Sequence, residues 1–224
     1  MNMRAARKTG MMPAAFAGAL TCFLTAGTGE ALAQGAAESF VRQDADKVIA
    51  VLGDKSLGEA EKHARVAGLM ASLLDLKRMA LFTLGPAART ASPADLDAYV
   101  AAYRDFALAN YAAELSGYMG QSLQLTGAAQ HAPGDYIVNA TVADPSDKSD
   151  PPVPVNFRVL DEGGGKFALV DASVAGIWFT IAQRDDFTGY LSQNGGDMGK
   201  LIAHLKALAA HPQSGGQSTS QAAR

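Results

Sequence analysis

The chain has 224 residues and one cysteine, Cys22. Cys22 lies in an N-terminal apolar stretch that reads as a removable leader. Arg4, Arg7 and Lys8 form a basic start, Met11 to Ala26 an apolar run, and Ala31-Leu32-Ala33 a small-x-small site before Gln34. Together these features predict a secretory signal peptide, residues 1–33, cleaved after Ala33. Leu20 and Thr21 precede Cys22, which does not fit the small residue that lipoprotein processing wants. The mature chain would then contain no cysteine, so no disulfide can hold it and its stability must come from its core. No later apolar run is long enough to span a bilayer. Lys/Arg clusters are missing as well. The formal charge is −3 and becomes about −5 once Arg4, Arg7, Lys8 and Glu30 leave, which argues against nucleic acid or an anionic bilayer as partner.

Catalytic and metal patterns are equally scarce. His63, His131, His204 and His211 are scattered, with no His-Glu-x-x-His spacing, so no metal site is expected. Asp144, Asp147 and Asp150 sit three apart but lack the glycine-containing pattern of a calcium loop. The run Gly195-Gly196-Asp197-Met198-Gly199-Lys200 is followed by Leu201 where a phosphate loop needs Ser or Thr. It reads as a helix-to-helix turn. No Gly-x-Ser-x-Gly elbow is present, and Asp185-Asp186 read as surface charge on an amphipathic helix. The sequence offers no catalytic constellation and no cofactor motif.

The pattern that remains is helical, then alternating, then helical. Phe40, Val41, Val48, Ile49 and Leu52 give a first helix its apolar stripe. Val66, Leu69, Met70, Leu73 and Leu74 mark a second, and Met79, Leu81, Phe82 and Leu84 a short third stopped at Gly85-Pro86. Ser92 is a good N-cap, Pro93 suits the first helical position, and Asp95 complements the dipole, so a long helix starts at Ser92. It carries Leu96, Tyr99, Val100, Tyr103, Phe106, Ala107, Tyr111, Leu115 and Tyr118 at helical spacing. After Gln121 the period becomes two: Leu123 and Leu125; Tyr136, Val138, Ala140 and Val142; Val153, Val155, Phe157 and Val159; Ala168, Val170, Ala172 and Val174. Four successive strands imply an antiparallel sheet with one buried face. Helix returns from Ile177 to Gln193 and from Met198 to Ala210. Residues 211–224, rich in Gln, Ser and Gly, are expected to be a disordered tail. The fold class is α+β, with residues 34–210 as its folded domain.

The motifs in this order resemble the MlaC, or toluene-tolerance, family. The resemblance is carried by Ala45-Asp46-Lys47-Val48-Ile49-Ala50-Val51-Leu52, by the run Asp75 to Gly85, and by Arg89 with Ala91-Ser92. It continues through Tyr111, Leu115, Tyr118 and Gly120, then Val170-Asp171, Gly176, Gln183-Arg184-Asp185-Asp186-Phe187, Gly195-Gly196-Asp197-Met198 and Leu201. The chain departs from the family at Pro86-Ala87-Ala88, Phe167 and Trp178, as a divergent branch such as the hopanoid-associated members would. The resemblance implies a helical layer on a four-stranded antiparallel sheet, enclosing an apolar cavity for lipid tails. It also implies a periplasmic phospholipid carrier without enzymatic activity. Its partners would be an inner-membrane ABC transporter complex and an outer-membrane lipoprotein complex, between which it shuttles lipid.

Candidates for the cavity wall are Met79, Phe82, Tyr103, Phe106, Leu115, Tyr118, Val138, Val142, Val155, Phe157, Val159, Val170 and Val174. Each suits an ordinary core equally well. Arg78 and Arg89 are positioned to meet a phosphate or to pair with Asp75 or Asp95. Two other readings stay open: a ligand-free periplasmic docking module, and an enzyme of nuclear-transport-factor-like architecture. The second would need a buried acid or base, and Asp171, read as sharing its side of a strand with Phe167, Leu169 and Ser173, is the one candidate.

Overall fold

A computed structural model of the chain describes residues 26–117, 120–144, 149 and 151–212. The charged start of the leader, Cys22, Tyr118, Asp147, Asp150 and the tail from residue 213 lie outside them.

Six helices and one sheet make up the described fold. Helix α1 (Ala26–Gly53) runs without a break through Ala33 and Gln34, and is followed by α2 (Glu59–Leu73) and α3 (Leu76–Leu84). Asp75 caps α3 by accepting a hydrogen bond from the Arg78 amide at 2.9 Å. Gly85, at φ 63°, ends it and starts a 3-10 turn to Arg89. Helix α4 (Pro93–Ser116) begins where the sequence places it, with the Ser92 hydroxyl oxygen accepting from the Asp95 amide at 3.1 Å. After the sheet come α5 (Phe179–Gln193) and α6 (Met198–Ala210). The glycine run between them is a turn, with Gly195 and Gly196 at positive φ, and Asp197 caps α6 through the Lys200 amide.

The strands β1 (Ser122–Ala132), β2 (Asp135–Ala143), β3 (Val153–Gly163), β4 (Lys166–Val174) and β5 (Ile177–Trp178) lie side by side in chain order, all antiparallel. The sheet therefore has five strands, not four. The residues Ile177 and Trp178, expected to open a helix, pair with Val174 and Ser173 instead. The two residues between the strands, Ala175 and Gly176, both have positive φ, at 51° and 85°. That is the backbone of a tight two-residue hairpin whose twist matches its strands, and it delays the helix to Phe179.

Packing falls into three groups. Helices α3 to α6 enclose Met79, Leu84, Tyr99, Tyr103, Phe106, Phe187, Leu201 and Leu205. The first half of α1 lays Ala37 and Val41 on Tyr136, Val138 and Val159 of the sheet, with Phe40 against Phe167. The second half joins Val48 to Val66 of α2 and Ala112 of α4. One continuous helix thus belongs to two cores.

Candidate functional site

Residues paired across neighbouring strands share a face, and successive residues alternate. The register therefore sorts the sheet. Tyr136, Val138, Ala140 and Val142 of β2 lie opposite Val159, Phe157, Val155 and Val153 of β3, and Phe157 and Val155 lie opposite Ala172 and Val174 of β4. Leu123 and Leu125 of β1 join the same face opposite Val142 and Ala140. This apolar face has two ends. Tyr136, Val138, Phe157 and Val159 lie under α1. Leu123, Val142, Val153, Val155 and Val174 belong to none of the three packed groups among the described residues.

The cavity-wall candidates are accordingly divided among separate groups. Met79, Tyr103 and Phe106 are buried in the helical core, where Phe106 and Tyr103 meet Phe187 edge-on at 5.6 and 6.5 Å. Leu115 packs beside Val48, Val66 and Ala112. Val138, Phe157 and Val159 lie beneath α1, while Val142 and Val174 are half-buried and Val155 buried at the other end. Phe82 stands at the surface, 38% exposed, with the Arg184 guanidinium 5.0 Å over its ring. Val170 is buried but has no partner in β3, because Arg158 pairs with Asp171 and Val159 with Leu169. Tyr118 falls outside the described residues.

That bulge at Val170 reassigns Asp171. Arg158 and Val159 are consecutive and face opposite ways, so Asp171 lies on the other face from Leu169 and Phe167. The sequence reading put all three on one side; the extra residue breaks the alternation. Asp171 shares its actual side with Ser173 and Arg158. Its carboxylate accepts from the Thr180 amide at 3.0 Å, the Thr180 hydroxyl at 2.6 Å and the Ala172 amide at 2.9 Å. Trp178 caps α5 without a side-chain hydrogen bond, so the strand supplies the anion that the helix N-terminus needs. Burial raises the Asp171 pKa above the ordinary carboxylate range, against those hydrogen bonds and the pull of Arg158. The group is fully employed as a tertiary cap. Among the described residues, no three His, Cys, Asp or Glu side chains are grouped to hold a metal.

A family model described as MlaC protein matches residues 42–207. The chain belongs to the MlaC family. Among solved structures, it is similar to a phospholipid-binding protein from Ralstonia solanacearum in complex with a phospholipid. The two share 22% identity and a TM-score of 0.65, over 78% of this chain and 97% of the other. At that identity the match speaks for the fold. No curated protein sequence matches the chain at comparable significance.

In this MlaC-family chain the tyrosines of α4 connect the helical core to α5. The Tyr103 hydroxyl donates to Gln183 Oε1 at 2.8 Å. Tyr111 belongs to the same polar group, through Gln183 and Tyr103, and packs its ring 6.2 Å from Phe179; burial pushes its phenol up to about 12. Deeper in, the Thr83 hydroxyl gives its proton to the Ala80 carbonyl, so Tyr99 donates to Thr83, at 2.9 Å. These phenols stay neutral and satisfied, with burial raising Tyr99 and Tyr103 as well. Of the two arginines singled out in sequence, Arg78 pairs with Asp75 at 2.9 Å and Arg89 is exposed. Asp95 accepts from the Ser92 hydroxyl. Sequence reasoning gave Arg184 no role: it sits inside a quoted motif, but its significance comes from Phe82, a neighbour in space that no spacing reveals. Among the described residues, no helix is long and apolar enough to cross a membrane.

Proposed function

We propose that this MlaC-family protein is an exported carrier. It would lay the acyl chains of one phospholipid on the uncommitted end of its sheet and shuttle the lipid between outer-membrane and inner-membrane complexes. The observation that carries this reading is the patch formed by Leu123, Val142, Val155 and Val174, from two neighbouring cross-strand rows. These are apolar residues on the face of the sheet whose other end lies under α1, and no helix packs them into a core group among the described residues. The solved relative with bound phospholipid supports the choice of ligand. In this assignment Val142, Val155 and Val174 line the site, whereas Met79, Tyr103 and Phe106 fill the helical core and Leu115 packs beside Val48, Val66 and Ala112.

The energetics fit a carrier. Each methylene withdrawn from water contributes ~0.8 kcal/mol, so a two-tailed lipid needs cover to cross an aqueous space. Moving tails from a bilayer to an equally apolar pocket changes that term little, and direction must come from the membrane partners. The small-x-small site Ala31-Leu32-Ala33, before Gln34, supports export. A chain beginning at Gln34 keeps the part of α1 that covers the sheet, from Ala37 onward.

Delipidated mature protein incubated with phosphatidylethanolamine vesicles, then examined by native mass spectrometry, tests the reading. One lipid per protein, chemically unchanged, is expected. Protein that remains lipid-free at every salt concentration would overturn it.

A further inference from the structure

Helices α3 and α5 lie side by side and run the same way, since Phe82 meets Arg184 and Gly85 meets Thr188. Their outer face exposes two large apolar side chains, Phe82 at 38% and Ile181 at 49%. Arg184 stacks on Phe82 and lies one helical turn from Ile181 on α5. A Cβ on Gly85 would come within 3.3 Å of Arg184 Nε and 3.0 Å of Thr188 Cγ2, at a φ of 63° that side chains rarely adopt. Glycine at this position therefore leaves room for the arginine to cross the end of α3 and stack on Phe82.

The guanidinium so placed has no carboxylate. Arg42, Arg65, Arg78 and Arg158 pair with Glu38, Glu61, Asp75 and Asp135; Arg89 and Arg104 form no ion pair among the described residues but are exposed, whereas Arg184 is half-buried and stacked on a ring. No ion pair or side-chain hydrogen bond holds the Arg184 guanidinium among the described residues. A half-buried, stacked arginine has lost much of its rotamer freedom, and its N–H fork matches a carboxylate. An oriented arginine beside exposed aromatic and aliphatic groups is the composition of an energetically dominant protein–protein contact.

We propose that this face docks a protein partner, which presents a carboxylate to Arg184 and an apolar side chain to Phe82 and Ile181. An anionic bilayer fits less well: the chain carries a net charge of −3, and Asp185 and Asp186 are exposed on the same helix. The proposal rests on the carrier reading only for its probes, the detergent-purified inner-membrane transporter and outer-membrane lipoprotein complexes of the same cells.

Binding of mature wild type, Arg184→Gln and Ile181→Ser to each complex would be measured by biolayer interferometry. Bound lipid by native mass spectrometry and melting temperature are read alongside. Both variants should bind at least one complex tenfold or more weakly, with lipid content and melting temperature unchanged, and Arg184→Lys should fall between. A loss smaller than tenfold in both, or no binding of wild type to either complex, overturns the proposal. So does wild-type flotation with vesicles containing anionic phosphatidylglycerol that Arg184→Gln abolishes, which would give the face to a membrane. A lipid-free wild type that still docks through Arg184 would sink the carrier reading and leave this one standing.

Discussion

The two ends of one sheet face carry the same kinds of side chain and meet different surroundings. Val138, Phe157 and Val159 lie under the first half of α1 and join its Ala37 and Val41 in a packed group. Val142, Val155 and Val174 continue the same rows and join none among the described residues. Alternation with Val and Phe secures a buried face, but whether a side chain fills a core or lines a site depends on what sits opposite.

The sharpest way to break this comparison is to place the same bulky residue at each end. Val138 has no exposed surface. Val138→Trp forces overpacking beneath α1 and should cost about 3 kcal/mol or more in urea unfolding, the upper end for inserted bulk. Val142→Trp, at the half-buried end, should cost less than about 1 kcal/mol and abolish lipid uptake. Equal destabilisation at both positions would erase the distinction.

A smaller effect is expected on the opposite face. Asp171→Ala removes the acceptor for the Thr180 amide and hydroxyl and should cost about 2 kcal/mol, from a lost cap and donors left buried. Asp171→Asn, which keeps one acceptor oxygen, should cost about half that. Both are read from urea midpoints at neutral pH. Loss of lipid binding with full stability would instead give Asp171 a part in the site.

The smallest effect is a pH dependence. Burial raises the Asp171 pKa above its unfolded value of 3.8, so the folded state binds the proton more tightly. Its ionisation therefore lowers stability as pH rises from the unfolded value through the raised one, and stability returns on acidification through that window. The melting temperature of wild type minus that of Asp171→Asn should grow in favour of wild type from pH 7 toward pH 4. A difference that shrinks would show that hydrogen bonding to the ionised form outweighs burial.

Much of the fold was legible because it is locally encoded. Ser92 with Asp95, Gly85 before Pro86, and Gly195-Gly196 before the Asp197 cap act within a few residues of themselves, and each set an element boundary. The alternation in β2 and β3 survives intact. What was not legible depends on contacts distant in sequence or on single-residue insertions. The bulge at Val170 adds one residue and turns Asp171 to the other face, which no alternation count anticipates. The Ala175-Gly176 hairpin needs a positive φ at alanine, for which the sequence carries no signal. Of the candidate site, the apolar residues were identifiable by type, but Phe82 and Phe106 look alike in sequence. Only the position of α5 sends one to the surface beside Arg184 and the other into the core beside Phe187.

The dual membership of α1 has a consequence for how the chain acquires its structure. Its second half meets α2 soon after synthesis, but its first half waits for β2, β3 and β4, with Phe40 waiting for Phe167. A chain emerging N-terminus first therefore exposes Val41 and Phe40 until Phe167 and Leu169 of β4 have been made, and closing that long loop is the slow, entropically costly step. Throughout this interval the apolar stripe of α1 is open to aggregation. Docking of the first half of α1 should accordingly follow the pairing of β2 with β3 and of β3 with β4.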